Sequence, residues 1–472
     1  MQIAFVVVEP DSIEPFGVMS LVPHLIARGF GVRLFDADDP ELLPRLEAFN
    51  PRIVGYSVTT GAHTYYLQLN AYLKERLDFL SVFGGPHPTF FPDMLHRPGV
   101  DAIARGECDY SFALFCEGVR DHGQPRPTPN FTYHEGDHLV SRPPAPLIED
   151  LDALPFPSRE AYYSISPKIE GYTVRSFLAS RGCPFHCTYC FNHAMDDLYG
   201  GTFCRPSVRS IERVVTEICA VTARYPTEFL AFRESIFPLA RGWLERFGEL
   251  MRERVRLPFY CHLRLDMVTK ERAALLARAG CHSVNVGIET GRYALRKELL
   301  GRPVSDETIV SACETLKEAG ITILANNMLG LPFTTFDDDW ATLQLNQRAA
   351  PHYSLAMLYQ PYPGTRLAAM AQQGGWFHGD MDALEISYYE RSHGRYEPER
   401  ERRPVENLQR LFAVAARLPA LNPLWRRLVA LPRNKLFGSI FKTAYLMYHQ
   451  SEIFPHTITP SGWVEHLRGL LE

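Results

Sequence analysis

Residues 183 to 190 read Cys-Pro-Phe-His-Cys-Thr-Tyr-Cys, and this stretch decides how the rest of the chain is organised. Its three thiols have the spacing C-x3-C-x2-C and follow a short apolar run, Ser176-Phe-Leu-Ala-Ser180. Sulfurs that lie this close together in a short loop can turn toward one soft metal centre. Three ligands are one fewer than a closed zinc site or a fully ligated iron–sulfur cluster needs. The spacing therefore predicts a metal centre with one position left for another ligand.

The spacing alone leaves two metal centres open. One is a [4Fe–4S] cluster held by Cys183, Cys187 and Cys190, with its fourth iron free for a ligand from outside the protein. The other is a structural zinc site with His186 or His193 as the fourth ligand. A disulfide framework is not favoured, because the chain is long and its ten cysteines are otherwise scattered. Six cysteines outside the loop are expected to be buried and inert: Cys108, Cys116, Cys219, Cys261, Cys281 and Cys313.

The composition is that of an ordinary globular protein. The 472 residues suffice for two or three domains, and the net charge of −5 gives no nucleic-acid signature. No uninterrupted apolar run of about 18 residues occurs, so we expect no membrane span. The apolar N-terminus is broken by Glu9-Pro10-Asp11, which predicts a buried first strand rather than a secretion signal. The free cysteines indicate a reducing cytoplasm.

Residues 1–125 alternate short apolar runs with amphipathic stretches, which predicts an α/β domain with a doubly wound parallel sheet. The predicted strands are Ile3–Val8, Val32–Asp36, Ile53–Val58, Ser81–Gly84 and Asp101–Ala104. Ligands of such sheets bind at the carboxyl ends of the strands. The loops there contain hydroxyl, glycine and other polar candidates: Ser57, Thr59, Thr60, Gly84, Gly85, His87, Thr89, Gly106 and Glu107. No Gly-x-Gly-x-x-Gly occurs, so a dinucleotide is not favoured, and plain turns remain the alternative.

The middle of the chain repeats the alternation more regularly. Residues 126–170 are rich in proline and predict an ordered linker. Residues 171–375 then predict five βα units and a sixth strand, which is a partial β/α barrel with its active site at the carboxyl ends of the strands. Five polar residues at these ends predict a ring that binds a polar ligand: Glu234, Arg264, Glu289, Asn326 and Asn327.

Residues 376–472 predict a mostly helical C-terminal region. Between Arg402 and Lys442 nine basic residues stand against one acidic residue, Glu406. Such a basic amphipathic segment is most often a helical cap, which is the interpretation we adopt here. It also suits peripheral contact with a membrane or with an anionic substrate.

Several motifs together resemble the cobalamin-dependent radical S-adenosylmethionine (SAM) enzymes, the class B methyltransferases. The resemblance covers about residues 1–445 and includes the cysteine loop with Tyr189 before its last thiol. Further matching pieces are Phe232-Arg-Glu-Ser-Ile-Phe237, Cys261-His-Leu-Arg-Leu-Asp266, Gly287-Ile-Glu-Thr-Gly291 and Gln360-Pro-Tyr-Pro-Gly-Thr365. Three pieces of the N-terminal domain match as well: Gly17-Val-Met-Ser-Leu, Phe83-Gly-Gly-Pro-His-Pro-Thr89 and Arg105-Gly-Glu107. Two positions depart from the family pattern: Arg233-Glu234 replaces an aspartate pair, and Phe333-Thr334 replaces a Gly-Glu pair.

The resemblance implies a Rossmann-like cobalamin-binding domain, a radical SAM barrel and three cofactors: a [4Fe–4S] cluster, SAM and cobalamin. It implies that Glu234 binds the SAM amino group, that Arg264 and Glu289 order the carboxylate and ribose, and that Tyr189 packs near the adenine. Asn326 would also contact SAM. The Asp-x-His-x-x-Gly motif is absent, so the resemblance implies cobalamin without a protein histidine on cobalt. His87 lies between two prolines, which favours a structural role for it.

The implied reaction begins with reductive cleavage of SAM to a 5′-deoxyadenosyl radical, which removes hydrogen from a substrate carbon. Methylcobalamin would then supply a methyl group to the substrate radical. The alternatives are oxidation, cyclisation or ring contraction without methyl transfer, and, in another class, a zinc-stabilised binding protein without catalysis. The implied partners are an external one-electron reductant of the flavodoxin or ferredoxin type and a small-molecule or carrier-bound biosynthetic substrate. We expect a monomer that binds no nucleic acid.

Overall fold

The structure is a computed structural model and describes residues 1–8, 14–377, 379–380, 382–384, 387–389, 391–394 and 402–455. Two sheets organise it. The first has seven strands in the order β2-β1-β3-β4-β5-β6-β7 and the second has six in the order β15-β14-β13-β12-β11-β8. Strands β1 to β5 are mutually parallel, as are all six strands of the second sheet. The predicted α/β architecture with a doubly wound domain and a partial (β/α)6 barrel is confirmed.

The strands of the first sheet are β1 (Gln2–Val7), β2 (Gly31–Asp36), β3 (Ile53–Ser57), β4 (Leu80–Gly84), β5 (Ala102–Ala104), β6 (Phe131–Glu135) and β7 (His138–Ser141). Five helices accompany it: α1 (Phe16–Ile26), α2 (Leu42–Phe49), α3 (His63–Lys74), α4 (Pro86–Phe90) and α5 (Ser111–His122). The order β2-β1-β3 places the switch point between β1 and β3, where a ligand crevice opens in such sheets.

One part of the linker prediction is wrong. Residues 131–141, assigned to a proline-rich linker, form the antiparallel hairpin β6–β7, which pairs with β5 and extends the first sheet. The physical reason is burial, because Phe131 and Tyr133 are 0% and 2% exposed and pack against Phe115. The short helices α6 (Arg159–Tyr163) and α7 (Pro167–Glu170) then lead into the second sheet.

The barrel strands are β8 (Val174–Phe177), β11 (Phe229–Phe232), β12 (Phe259–Leu263), β13 (Cys281–Glu289), β14 (Thr322–Leu329) and β15 (Tyr353–Leu358), and a small pair, β9 (Ser180–Arg181) with β10 (Ser207–Val208), flanks the cysteine loop. The helices are α8 (Phe191–Leu198), α9 (Ile211–Arg224), α10 (Arg241–Leu250), α11 (Lys270–Ala279), α12 (Asp306–Glu318), α13 (Phe336–Ala349) and α14 (Arg366–Gln373). Hydroxyl caps at Ser210, Thr269 and Ser305 begin three of them and satisfy backbone N–H groups of the first turn.

The described C-terminal region is helical, with α15 (Arg402–Arg417), α16 (Asn422–Val429), α17 (Lys435–Ala444) and a π-helical segment over Tyr445–Ile453. Helix α15 packs Leu408 and Phe412 on the outer side of β14 and β15. The end of the region, at Ile453 and Phe454, packs against Phe229 and Tyr260 of the strands. This region therefore covers the part of the barrel that no further βα unit closes. No described helix is long and apolar enough to cross a membrane.

Candidate functional site

The three cysteines of residues 183–190 lie in the loop that joins β9 to α8, beyond the carboxyl end of β8. Cys183 and Cys187 are buried, and Cys190 is partly exposed. Thr188 fastens the loop to the barrel, because its N–H donates to the carbonyl of Leu300 at 3.1 Å and its hydroxyl to that of Leu299 at 2.6 Å. Cys190 directly precedes the first turn of α8, where the helix dipole favours a thiolate.

The cysteine loop fits a polynuclear cluster better than a single zinc ion. Among the described residues, only His186, Asp196 and Cys204 form a group of three whose ligand atoms all lie within 4.8 Å of one another. The three sulfurs of the loop do not all lie within that distance of one another, whereas ligands of one tetrahedral zinc lie about 4 Å apart. Burial raises the pKa of Cys183 and raises that of Cys190 to about 12, so a metal centre is needed to hold them as thiolates.

The two histidines considered as zinc ligands have other partners. His193 Nε2 accepts the backbone N–H of Arg366 at 3.1 Å. His186 Nδ1 lies 3.9 Å from Asp196 Oδ2, and Asp196 Oδ1 accepts the backbone N–H of Cys204 at 2.9 Å. His193 Nε2 is therefore engaged by the backbone, and His186 lies toward Asp196.

Arg264, at the end of β12, contacts the cysteine loop directly. Its Nη1 donates to Cys187 Sγ at 3.6 Å, and its guanidinium lies 3.7 Å from the centre of the Phe185 ring. Two further hydrogen bonds to Asp266, at 3.0 and 2.8 Å, fix the plane of the guanidinium. A buried cation beside a cysteine ligand stabilises negative charge on that ligand. The structure thus places Arg264 against the cysteine loop.

A buried polar triad lies at the ends of β13 and the cysteine loop. The Tyr189 hydroxyl donates to Glu289 Oε1 at 2.9 Å, and Arg302 Nη1 lies 3.6 Å from the same oxygen. Arg302 also donates to the carbonyl of Gly287 at 2.9 Å. Burial raises the pKa of Glu289, and the Arg302 cation opposes that shift. Glu289 has a left-handed φ of 68°. Its side chain lies over Gly287, and a Cβ atom added to Gly287 would be 1.9 Å from Glu289 Oε1.

Glu234 follows β11 and is almost fully buried. Its Oε1 has no hydrogen-bond partner, while Oε2 accepts the N–H of Ala179 at a long 3.5 Å. Burial raises the pKa of this carboxyl to about 8. Its backbone carbonyl accepts Nδ1–H of His262 at 2.8 Å, which holds the turn in place. An unpartnered buried carboxylate oxygen at the mouth of the barrel fits a cationic group from a ligand.

The two neighbouring asparagines of β14 face opposite sides of the sheet. Asn326 donates to Asn285 Oδ1 at 2.9 Å, and its own Oδ1 is buried without a partner. Asn327 instead exchanges hydrogen bonds with Asn346 of α13 at 3.2 and 2.6 Å, on the outside of the barrel. The prediction that Asn327 belongs to the ring is wrong, because alternate residues of a strand point to opposite faces.

The first domain contains a cavity of about 250 Å³ at the carboxyl ends of β1, β3, β4 and β5. Its glycines leave the backbone bare: a Cβ at Gly17 would meet no atom within 4 Å, and one at Gly84 only ordinary contacts from 3.8 Å. Part of a ligand as large as cobalamin fits this space. Five of the predicted cobalamin residues line it: Ser57, Gly84, Gly85, Gly106 and Glu107.

The other four predicted residues do not line the cavity. Thr59 is exposed. Thr60 Oγ1 lies 3.1 Å from His87 Nδ1, and the His87 ring is stacked between His63 and Phe91. Thr89 instead supports the wall, because its hydroxyl oxygen accepts the N–H of Gly106 at 3.0 Å. His87 is therefore a packed structural residue in this structure, as the flanking prolines indicated.

An ion pair joins this cavity of the first domain to the cysteine loop. Arg181, two residues before Cys183, lines the cavity and contacts Asp109 at 2.9 and 3.0 Å and Glu107 at 3.2 Å. The N–H of Glu107 also donates to the hydroxyl of Tyr199 at 2.7 Å. Sequence reasoning missed Arg181, Tyr199 and Arg302; the only signal was the position of Arg181 at the start of the cysteine loop.

Comparison with known protein families accounts for both halves of this arrangement. A model of the radical SAM superfamily matches residues 177–345, and one of the B12 binding domain matches residues 3–115. The fold and site define a radical SAM enzyme that carries a cobalamin-binding domain. The chain belongs to the cobalamin-dependent radical SAM enzymes, whose cofactors are the [4Fe–4S] cluster, SAM and cobalamin.

Three known proteins illustrate the similarity. An uncharacterized methyltransferase of Pyrococcus horikoshii is 27% identical over 326 residues, which are 68% of this chain and 70% of that protein. An anaerobic magnesium-protoporphyrin IX monomethyl ester cyclase of Synechocystis is 25% identical over 308 residues, 61% of this chain but only 59% of the cyclase. The solved structure of OxsB, a cobalamin-dependent SAM radical enzyme, shares the fold with a TM-score of 0.70 at 14% identity, over 100% of this chain and 75% of OxsB.

Proposed function

We propose that this protein is a cobalamin-dependent radical SAM methyltransferase that methylates a carbon atom of a biosynthetic substrate. The observation that carries the proposal is the contact of Arg181 with Glu107 and Asp109, which brings the cysteine loop and the cobalamin cavity to one interface. The similarity to the Pyrococcus horikoshii methyltransferase supports methyl transfer. When bound, the cluster and SAM supply a carbon radical, and cobalamin supplies the methyl group.

We assign the iron-binding role to Cys183, Cys187 and Cys190, with Arg264 positioning the loop through Cys187 and Phe185. Glu234 is assigned to the SAM ammonium, because its unpartnered Oε1 is the buried acceptor that such a group requires. The raised pKa of Glu234 falls when a cation binds beside it, so the carboxylate is charged in the complex.

Tyr189, Glu289 and Asn326 are assigned to the rest of SAM. Glu289 already shares a hydrogen bond with Tyr189, which orients its second oxygen, and Asn326 offers a free buried acceptor. These groups suit ribose hydroxyls, which donate hydrogen bonds. We assign cobalamin contacts to Ser57, Gly84, Gly85, Gly106 and Glu107, where bare backbone lets a large ligand approach closely.

A second outcome, ring formation without methyl transfer, has a specific motive in the similarity to the magnesium-protoporphyrin cyclase. The mass of the product distinguishes the two. A gain of one methylene unit indicates methylation, whereas loss of hydrogen indicates oxidative cyclisation.

We propose a flavodoxin or ferredoxin as the external electron donor, and the same protein serves as the reductant when product formation is measured. We further propose that the protein is a monomer. We also propose that it works in a reducing compartment, which its ten free cysteines support.

The cluster assignment is tested by Cys187→Ala. We expect this variant to form no cluster and to release no 5′-deoxyadenosine from SAM under reducing, anaerobic conditions. Cys219→Ala is the matched control, because this partly exposed cysteine lies on α9 outside the cysteine loop. Cleavage of SAM by the Cys187 variant at the rate of the control would overturn the assignment.

A further inference from the structure

The C-terminal helices carry a concentration of positive charge that the proposed reaction does not use. Residues 417–447 contain six basic side chains and no acidic one, although the whole chain has a net charge of −5. Arg417 pairs with Glu452, and Arg426 pairs with Asp337. Arg427, Arg433 and Lys435 are exposed around the turn between α16 and α17.

The same segment exposes apolar side chains that the core does not need. Helices α16 and α17 already bury an inner face, since Trp425, Val429 and Phe437 pack with α15. Five leucines outside that face are exposed by 40 to 65%: Leu418, Leu421, Leu424, Leu431 and Leu436. Exposed leucine is ordinary when single, whereas a succession of five within nineteen residues indicates an interaction surface.

We propose that this leucine-rich edge, residues 418–436, docks on the surface of a lipid bilayer that contains anionic headgroups. Leucines at the ends of a helix and in a turn can enter the boundary between headgroups and acyl chains, while neighbouring cations contact phosphate. The charge argues for this occupant, because a segment with basic side chains and no acidic one complements an anionic surface. The docking is peripheral, and it holds whichever reaction the barrel catalyses.

Co-sedimentation of the full chain with vesicles tests the docking. We expect binding to vesicles of phosphatidylcholine with phosphatidylglycerol, weaker binding in high salt, and little binding to phosphatidylcholine alone. The double substitution Arg427→Gln with Lys435→Gln should lower the partition coefficient roughly thirtyfold, because each cation near an anionic surface contributes a factor of about five. Leu431→Ser with Leu436→Ser should lower it more than tenfold. The matched control is Arg45→Gln with Leu139→Ser, both exposed on the first domain.

Three results would overturn the proposal. The first is that the chain remains in the supernatant with anionic vesicles at low salt. The second is that the two test variants bind as strongly as the control. The third is that the leucine substitutions change only the mass of the particle in solution, which would make the edge an interface between copies. Cluster content and SAM cleavage should be unchanged in every variant, since none of these residues contacts the cofactor sites; this separates a failure of docking from a failure of the proposed function.

Discussion

At the scale of single residues, the SAM contact proposed for Glu234 predicts that SAM binding depends on pH. Its pKa is raised to about 8 by burial, so below that pH the carboxyl must lose a proton before it can accept a hydrogen bond from the SAM ammonium. The affinity of the cluster-loaded protein for SAM should therefore fall roughly tenfold for each pH unit below about 8. Equilibrium binding at several pH values measures this.

Glu234→Gln provides the check on that prediction. The amide cannot be charged, so affinity should be lower at high pH and the dependence below pH 8 should disappear. If the slope persists in the variant, another group titrates, and the role assigned to Glu234 is wrong.

The neighbouring residues Asn326 and Asn327 offer a second prediction. Asn326→Ala removes a buried acceptor that has no protein partner, so SAM affinity should fall about tenfold, while loss of its hydrogen bond to Asn285 should cost only about 1 kcal/mol of stability. Asn327→Ala removes both hydrogen bonds to Asn346 on the outside of the barrel and should cost about 3 kcal/mol of stability. Denaturant titration and SAM binding on both variants measure the difference; equal effects of the two on SAM affinity would contradict the assignment.

At the scale of elements, the proposal places cobalamin at the glycine-lined ends of the first sheet. Leucine in place of Gly84 projects into the cavity with no backbone clash, because a Cβ there meets nothing closer than 3.8 Å. Gly84→Leu should therefore fold, load its cluster and lose most of its corrin, as measured by absorbance. Gly242→Leu, on the exposed first turn of α10, is the control and should keep its corrin. Normal corrin in the Gly84 variant would place cobalamin elsewhere.

The contact between the two sites is a further element-scale prediction. Arg181→Gln leaves the buried Asp109 and the mostly buried Glu107 without their cation. We expect a loss of about 3 kcal/mol in the free energy of unfolding, together with weaker retention of corrin. Arg45→Gln, which breaks an exposed pair with Asp39, should change stability by less than about 0.5 kcal/mol. An Arg181 variant as stable as this control would show that the ion pair does not hold the domains.

Sequence periodicity predicted the five parallel strands of the first sheet within one residue of their bounds, because buried strands read as continuous apolar runs. It failed where the information is three-dimensional. Which of Asn326 and Asn327 points into the barrel depends on the register of β14 in the sheet. The prolines around the hairpin β6–β7 obscured its strand pattern. Arg181 and Arg302 act through partners 72 and 113 residues away in the chain, which no local pattern records.

At the scale of the whole molecule, two sheets meet so that their ligand-binding ends face each other. A buried network fixes that arrangement: Arg159 of the linking helix α6 pairs with Glu14 of the first domain and with Glu217 of α9, at 3.1 Å for the second pair. Aromatic packing of Phe90 on Phe191, with ring centres 4.8 Å apart, adds a contact between the first domain and the end of the cysteine loop. The interface therefore holds the two cofactor sites in fixed relation.

The central claim is that one chain holds a site-open [4Fe–4S] cluster and cobalamin at this interface. Electron paramagnetic resonance of the anaerobically reconstituted, reduced protein, recorded with and without SAM and alongside the corrin absorbance, tests it most directly. We predict a reduced-cluster signal that shifts when SAM is added, in a protein that also retains corrin. A colourless protein that binds zinc at the cysteine loop and retains no corrin would contradict the account.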